Sequence, residues 1–200
     1  MARLAKLPPS TSRPLGLVDA LILVASIAPG LLLVRFANPT IDWDYYLHRV
    51  WFSPAEQGYT WLAKLDAARE LMVVLVPCWV SVTLAVLGLH FRRPRPPWRR
   101  LTRSPGFVAC VAVALVVMVV GARVLLSLLR GRLTPPGQAL PPELDRLPAL
   151  GGLAVLASWT SLALAGRWRA DRGGLDRLGR LVGAAWVAGL AVNFIIESFR

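Results

Sequence analysis

The chain has 200 residues, 56% of them hydrophobic and 17% charged, with a formal net charge of +12. A soluble domain carries about 25% charged residues. Here the charges fall in short blocks between long apolar stretches, which excludes an ordinary soluble core and indicates membrane spans. The basic residues sit between the apolar stretches, where the positive-inside rule already requires them, so the charge is not read as nucleic-acid binding.

A membrane-crossing helix needs about 20 mostly apolar residues. Five stretches approach this, at about 15–36, 70–91, 106–129, 147–168 and 178–199. The predicted fold is all-α: a polytopic transmembrane bundle of five spans forming one transmembrane domain. The first span follows a tail over 1–14 and carries Asp19 about one turn from its start. Ser26-Ile27-Ala28 has the small-x-small form of a leader cleavage site, but Pro29 follows at once and the apolar run continues. The expectation is an uncleaved helix kinked at Pro29-Gly30.

The loop over 37–69 contains Trp43, Tyr46, Leu47, Val50 and Trp51 at i, i+3, i+4, i+7 and i+8. That spacing makes one apolar stripe on a short helix at about 41–52. Tryptophan and tyrosine favour the membrane-water interface, so this helix is expected on the outer leaflet as an anchor or partner surface. Ser53-Pro54-Ala55-Glu56 is a capping box with proline at the first helical position. It predicts a helix from Pro54 feeding into the second span, weakened by Gly58 and kinked by Pro77.

The loop over 92–105 is basic and proline-rich, with six arginines and no acid. Its prolines predict an extended backbone. Arg92, Arg93, Arg95, Arg99 and Arg100 are candidate contacts for anionic lipid, at about 1 kcal/mol each near the surface.

The third span is interrupted by Arg123, which shares a helix face with Ser127 and Arg130. The proline-rich loop over 130–146 reads as a stiff connector. In the fourth span Ala154, Ser158, Ser161 and Ala165 recur at helical spacing. The loop over 169–177 is again basic. The fifth span is the weakest, uninterrupted only from Leu181 to Ile196, and it carries Gly179-x-x-x-Gly183 and Ala185-x-x-x-Gly189. Such small-residue repeats allow backbones to approach and predict helix packing, within the chain or with a partner.

Orientation follows from the loops. The tail and the loops after the second and fourth spans are arginine-rich, whereas the other loops mix signs. Positive-inside then places the N-terminus in the cytoplasm and the C-terminus outside, in a bacterial inner membrane.

An ionisable residue within a span is costly and is the first place to look for function. Asp19 is one candidate, with His90 or an arginine of the 92–105 loop as its partner. Glu70, Arg123, Arg130, Asn193 and Glu197 all fall at the outer ends of spans two, three and five and form a candidate polar cluster. Cys78 and Cys110 have no metal-ligand spacing and lie at different predicted depths, so they read as unpaired buried hydrophobes. His48 lies in an outer loop and His90 at the cytoplasmic end of the second span, so neither is placed for haem ligation. No nucleophile-base pair and no phosphate-cradling glycine motif is visible. No cofactor, no metal and no catalytic residue is expected. The leading expectation is a non-catalytic structural or accessory subunit, acting through contacts with other membrane proteins. A small oligomeric transporter or channel using the outer polar cluster is the alternative, and a membrane-embedded enzyme acting on lipid is the third.

Overall fold

The computed structural model describes residues 16–37, 61–92, 97–130, 142–169 and 173–199, and every regular element among them is helical. The predicted interfacial helix at about 41–52, with Trp43, Tyr46, Leu47, Val50 and Trp51, and the capping box at Ser53 lie outside the described residues. So do Arg93 and Arg95.

The long elements are α1 (Leu17–Ala37), the pair α2 (Trp61–Val74) and α3 (Val76–Phe91), α5 (Pro105–Leu129), α7 (Leu147–Leu164) and α8 (Gly174–Ser198). Two short helices, α4 (Trp98–Leu101) and α6 (Pro142–Asp145), lie between them. Four helices are long and apolar enough to cross a membrane, and the α2-α3 pair makes five if it counts as one bent span. At 1.5 Å per residue α5 and α8 are each about 37 Å long, enough for a hydrocarbon layer of about 30 Å.

The second span departs from its prediction in where it bends. The break falls at Leu75, two residues before Pro77, and turns the chain by 55°. Proline has no N–H to donate and its ring crowds the carbonyl four residues back. Pro77 therefore sits comfortably at the second position of a new helix, and the older helix ends before it. The Pro29 site behaves differently, since α1 runs as one helix from Leu17 to Ala37 through that proline.

Two further boundaries differ. The fourth span ends at Leu164 rather than near Trp168. Gly166 takes φ +60, its N–H reaches Ala163 O at 3.0 Å, and the Arg167 N–H reaches Leu162 O at 3.0 Å. That is a Schellman stop, which satisfies the last carbonyls of α7. The fifth span begins at Gly174, a full turn before the predicted 178. The 92–105 loop is not extended throughout, because Trp98–Leu101 forms one helical turn. Pro97 O accepts from Arg100 N at 2.8 Å, and Leu101 is buried.

α8 is the central element. It packs against α7, α5, α3 and α2, while α5 also packs against α7 and α3, and α1 is applied to the outside of α3. Close backbone approaches set the order. A Cβ on Gly30 of α1 would stand 2.6 Å from Cys78 Cα of α3. The ring of Trp186 lies across Gly151 of α7, Gly152 meets the Trp186 backbone carbonyl, and Gly189 faces Pro148. Gly106 of α5 meets Gly179 of α8. In the middle, Val76, Val86, Cys110, Val113, Val120, Val155, Val182 and Trp186 form one apolar core. Among the described residues one polar chain enters it: Trp186 Nε1 donates to Thr83 Oγ1 at 3.2 Å, and Thr83 donates to Trp79 O at 2.6 Å. Each buried polar group there has a partner, as a site without water requires.

Candidate functional site

The buried charges gather at one end of the bundle, where α1, α5 and α8 begin and α3 and α7 finish. Asp19 lies in the first turn of α1 and is 1% exposed. Its Oδ2 accepts from Gly16 N at 3.0 Å, so the side chain caps the helix it belongs to. Its Oδ1 meets Arg92 Nη1 at 3.0 Å. Of the partners considered from sequence, the arginine of the 92–105 loop is the one it pairs with. His90 instead directs Nδ1 to Val86 O at 2.8 Å and sets its ring 5.4 Å from that of Phe107.

A second carboxylate at this end, Asp176, was not singled out from sequence. It lies in the first turn of α8 and is 4% exposed. Oδ1 accepts from the Ser104 hydroxyl and, at 2.9 Å, from Gly106 N. Oδ2 faces Arg180 Nε at 3.3 Å, one helical turn along. These two atoms form an ion pair without hydrogen-bond alignment, and neither has another hydrogen-bond partner. The chain folds this way because Ser104 is the N-cap of α5 and Pro105 its first residue. The Gly106 N–H is one of the amides left over at a helix start. Asp176 supplies the acceptor, and its charge sits favourably at the positive end of the α5 dipole. Trp159 Nε1 closes the node from α7, donating to Pro105 O at 3.0 Å. Two sequence signals could have found it: the Ser104-Pro105 helix start, and the i, i+4 spacing of Asp176 and Arg180.

The opposite end holds the five residues of the predicted polar cluster. Asn193 is buried on α8. It accepts from Arg69 Nε of α2 at 2.7 Å and donates to Gly189 O at 3.0 Å. Trp61 of α2 meets Phe199 edge to face, with centroids 4.9 Å apart. Glu70, Arg123, Arg130 and Glu197 are exposed. Among the described residues no hydrogen bond or ion pair joins these four to one another. Helices α5 and α8 run parallel, with Gly106 against Gly179 and Ala109 against Gly183. Carrying that register along both brings Arg123 level with Ile196 and Glu197. Arg123 stands about 9 Å from the end of α5, short of the headgroups but within reach of a long side chain.

Of the candidate lipid contacts, Arg92 is committed to Asp19, while Arg99 and Arg100 are exposed on α4. Both cysteines are free thiols. Among the described residues no group of three or more histidine, cysteine, aspartate or glutamate side chains is placed to hold a metal ion. In comparisons with known proteins, no family model, no curated protein and no solved structure matches the chain.

Proposed function

We propose that this chain is a non-catalytic integral membrane protein, a structural or accessory subunit that acts through helix-helix and loop contacts. Its N-terminus lies in the cytoplasm and its C-terminus outside, in a bacterial inner membrane. The observation that carries the reading is the apolar core between the two ends. Val86, Val113 and Val155 are each 1% exposed or less, and Trp186 is 4% exposed. Between the Asp19 and Asp176 groups at one end and Asn193 at the other the described core is made of apolar side chains, which supports a reading without a polar path. Contact surface is plentiful. Leu21, Val24, Leu31 and Leu32 of α1, Leu115, Met118 and Leu125 of α5, and Leu153 and Leu156 of α7 all face outward.

A transporter or channel remains the second reading, because Arg123 is a charge on a spanning helix with no ion-pair partner among the described residues. Proteoliposomes and native membranes separate the two. With the purified chain in sealed vesicles, proton, potassium and chloride fluxes are expected to match those of empty vesicles. Photo-crosslinkers at Leu125, Leu153 and Leu156 in native membranes are expected to trap protein at a discrete mass. Flux above the empty-vesicle level, or crosslinks to lipid alone at all three positions, overturns the subunit reading.

A further inference from the structure

Two basic loops that are far apart in sequence are joined at the Asp19 end. The Arg169 N–H donates to Arg103 O at 3.2 Å, so the turn after α4 lies against the chain leaving α7. Arg103, Arg167 and Arg169 are exposed there. Among the described residues none of the three guanidinium groups has a carboxylate partner. The described acids of this end are already engaged: Asp19 holds Gly16 N and Arg92, and Asp176 holds Ser104, Gly106 N and Arg180. Among the described residues, burial of both carboxylates leaves the arginines of this surface without a neighbouring acid.

Two tryptophans give the depth of this surface. Trp168 lies between Arg167 and Arg169 and meets Trp159 edge to face at 6.0 Å. Trp98 of α4 is 62% exposed, with its ring stacked 6.3 Å from Phe91. Half-exposed indoles with one apolar side and one wet side settle at the headgroup level. Lipid phosphates occupy the same level, and a guanidinium offers a planar donor fork that fits phosphate oxygens. We propose that Arg103, Arg167 and Arg169 form a binding site for the phosphate of an anionic phospholipid, seated on the seam between the two loops. The site does not depend on the subunit reading above.

Thermal unfolding of the purified full chain in neutral detergent tests this, with phosphatidylglycerol, phosphatidylcholine or inorganic phosphate added separately. Phosphatidylglycerol is expected to raise the unfolding temperature of the wild type, and the other two are not. The triple variant R103Q/R167Q/R169Q is expected to need on the order of tenfold more phosphatidylglycerol for half of the effect. The double variant R99Q/R100Q, which removes two candidate lipid contacts outside the seam, is expected to weaken the response by less than the triple variant. If the triple variant does not give folded protein, R167Q and R169Q are measured singly, each expected to weaken the response severalfold. Equal loss in the two sets of variants would mean diffuse attraction by net charge and overturns the site. An unchanged response in the triple or single variants also overturns it, and a shift with inorganic phosphate alone replaces the lipid with a free ion.

Discussion

A Cβ placed on Gly106 would stand 2.4 Å from the Asp176 carbonyl oxygen, and one on Gly179 would stand 2.7 Å from the Gly106 backbone. In both cases the obstacle is main chain, which cannot rotate aside as a side chain would. The substitutions G106A and G179A are expected to push α5 off α8 and lower stability by about 1–3 kcal/mol, the usual cost of overpacking. Gly88 and Gly121 have nothing within 4 Å of the same added atom, so G88A and G121A are expected to leave stability unchanged or slightly raised. Unfolding temperatures of the four variants in one detergent check this, and equal losses in all four would refute it. Residue patterns foresaw part of this: Gly179-x-x-x-Gly183 announced a close approach, and both glycines are buried in one. The repeat did not reveal what its neighbour Asp176 does. That carboxylate, in a basic loop, resembles an ordinary solvated charge. Only the fold, which brings Ser104 and the free Gly106 amide to it across 70 residues, turns it into a buried cap.

At the scale of elements, hydropathy located the helices well where apolar runs were long, as in α5, which begins one residue before its predicted start. It failed where polar residues are helical. α8 begins at Gly174 because Asp176 and Arg180 neutralise each other along one face, so the charges that seemed to end the span belong to it. The fourth span stops early for the opposite reason: Gly166 reverses the backbone before Trp168 while the composition stays apolar. The bend in the second span has two causes. Pro77 makes the break affordable, and α2 is then held against α8 by Arg69 on Asn193 and Trp61 on Phe199. A straight helix from Lys64 to Gly88 would span about 36 Å, whereas the 55° turn at Leu75 shortens this to about 32 Å. With spin labels at these two positions, P77A alone is expected to keep the shorter distance. Combining P77A with R69A is expected to release α2 and lengthen it. A single P77A variant that already straightens would assign the bend to proline and leave no role for the Arg69 contact.

Across the whole molecule, the helix contacts determine how the chain alternates between the two ends. α1 runs antiparallel to α3, since Asp19 meets Arg92 and Gly30 meets Cys78. α5 and α8 are parallel through Gly106 and Gly179, and α7 runs against α8 because Gly189 faces Pro148 while Gly183 faces Trp159. Five passes in this order put the α4 turn and the last residue of α8 at opposite ends. Arg99 is exposed on α4 and Ser198 is exposed at the end of α8, so cysteine can be introduced at each with little disturbance. The native thiols sit inside spanning helices, and the wild type serves as the blank. In sealed vesicles of known sidedness, a membrane-impermeant maleimide is expected to label only one of R99C and S198C, the other reacting after permeabilisation. Inverted vesicles are expected to exchange the two. If the α2-α3 pair dipped into the bilayer and returned, a cysteine at exposed Gly16 would label with S198C rather than with R99C, because α5, α7 and α8 separate Arg99 from Ser198 in either case. The same experiment fixes the sign. Eleven arginines from Arg92 to Arg180 lie in or beside the two loops at the α4 end, so R99C is expected to be the position protected from outside.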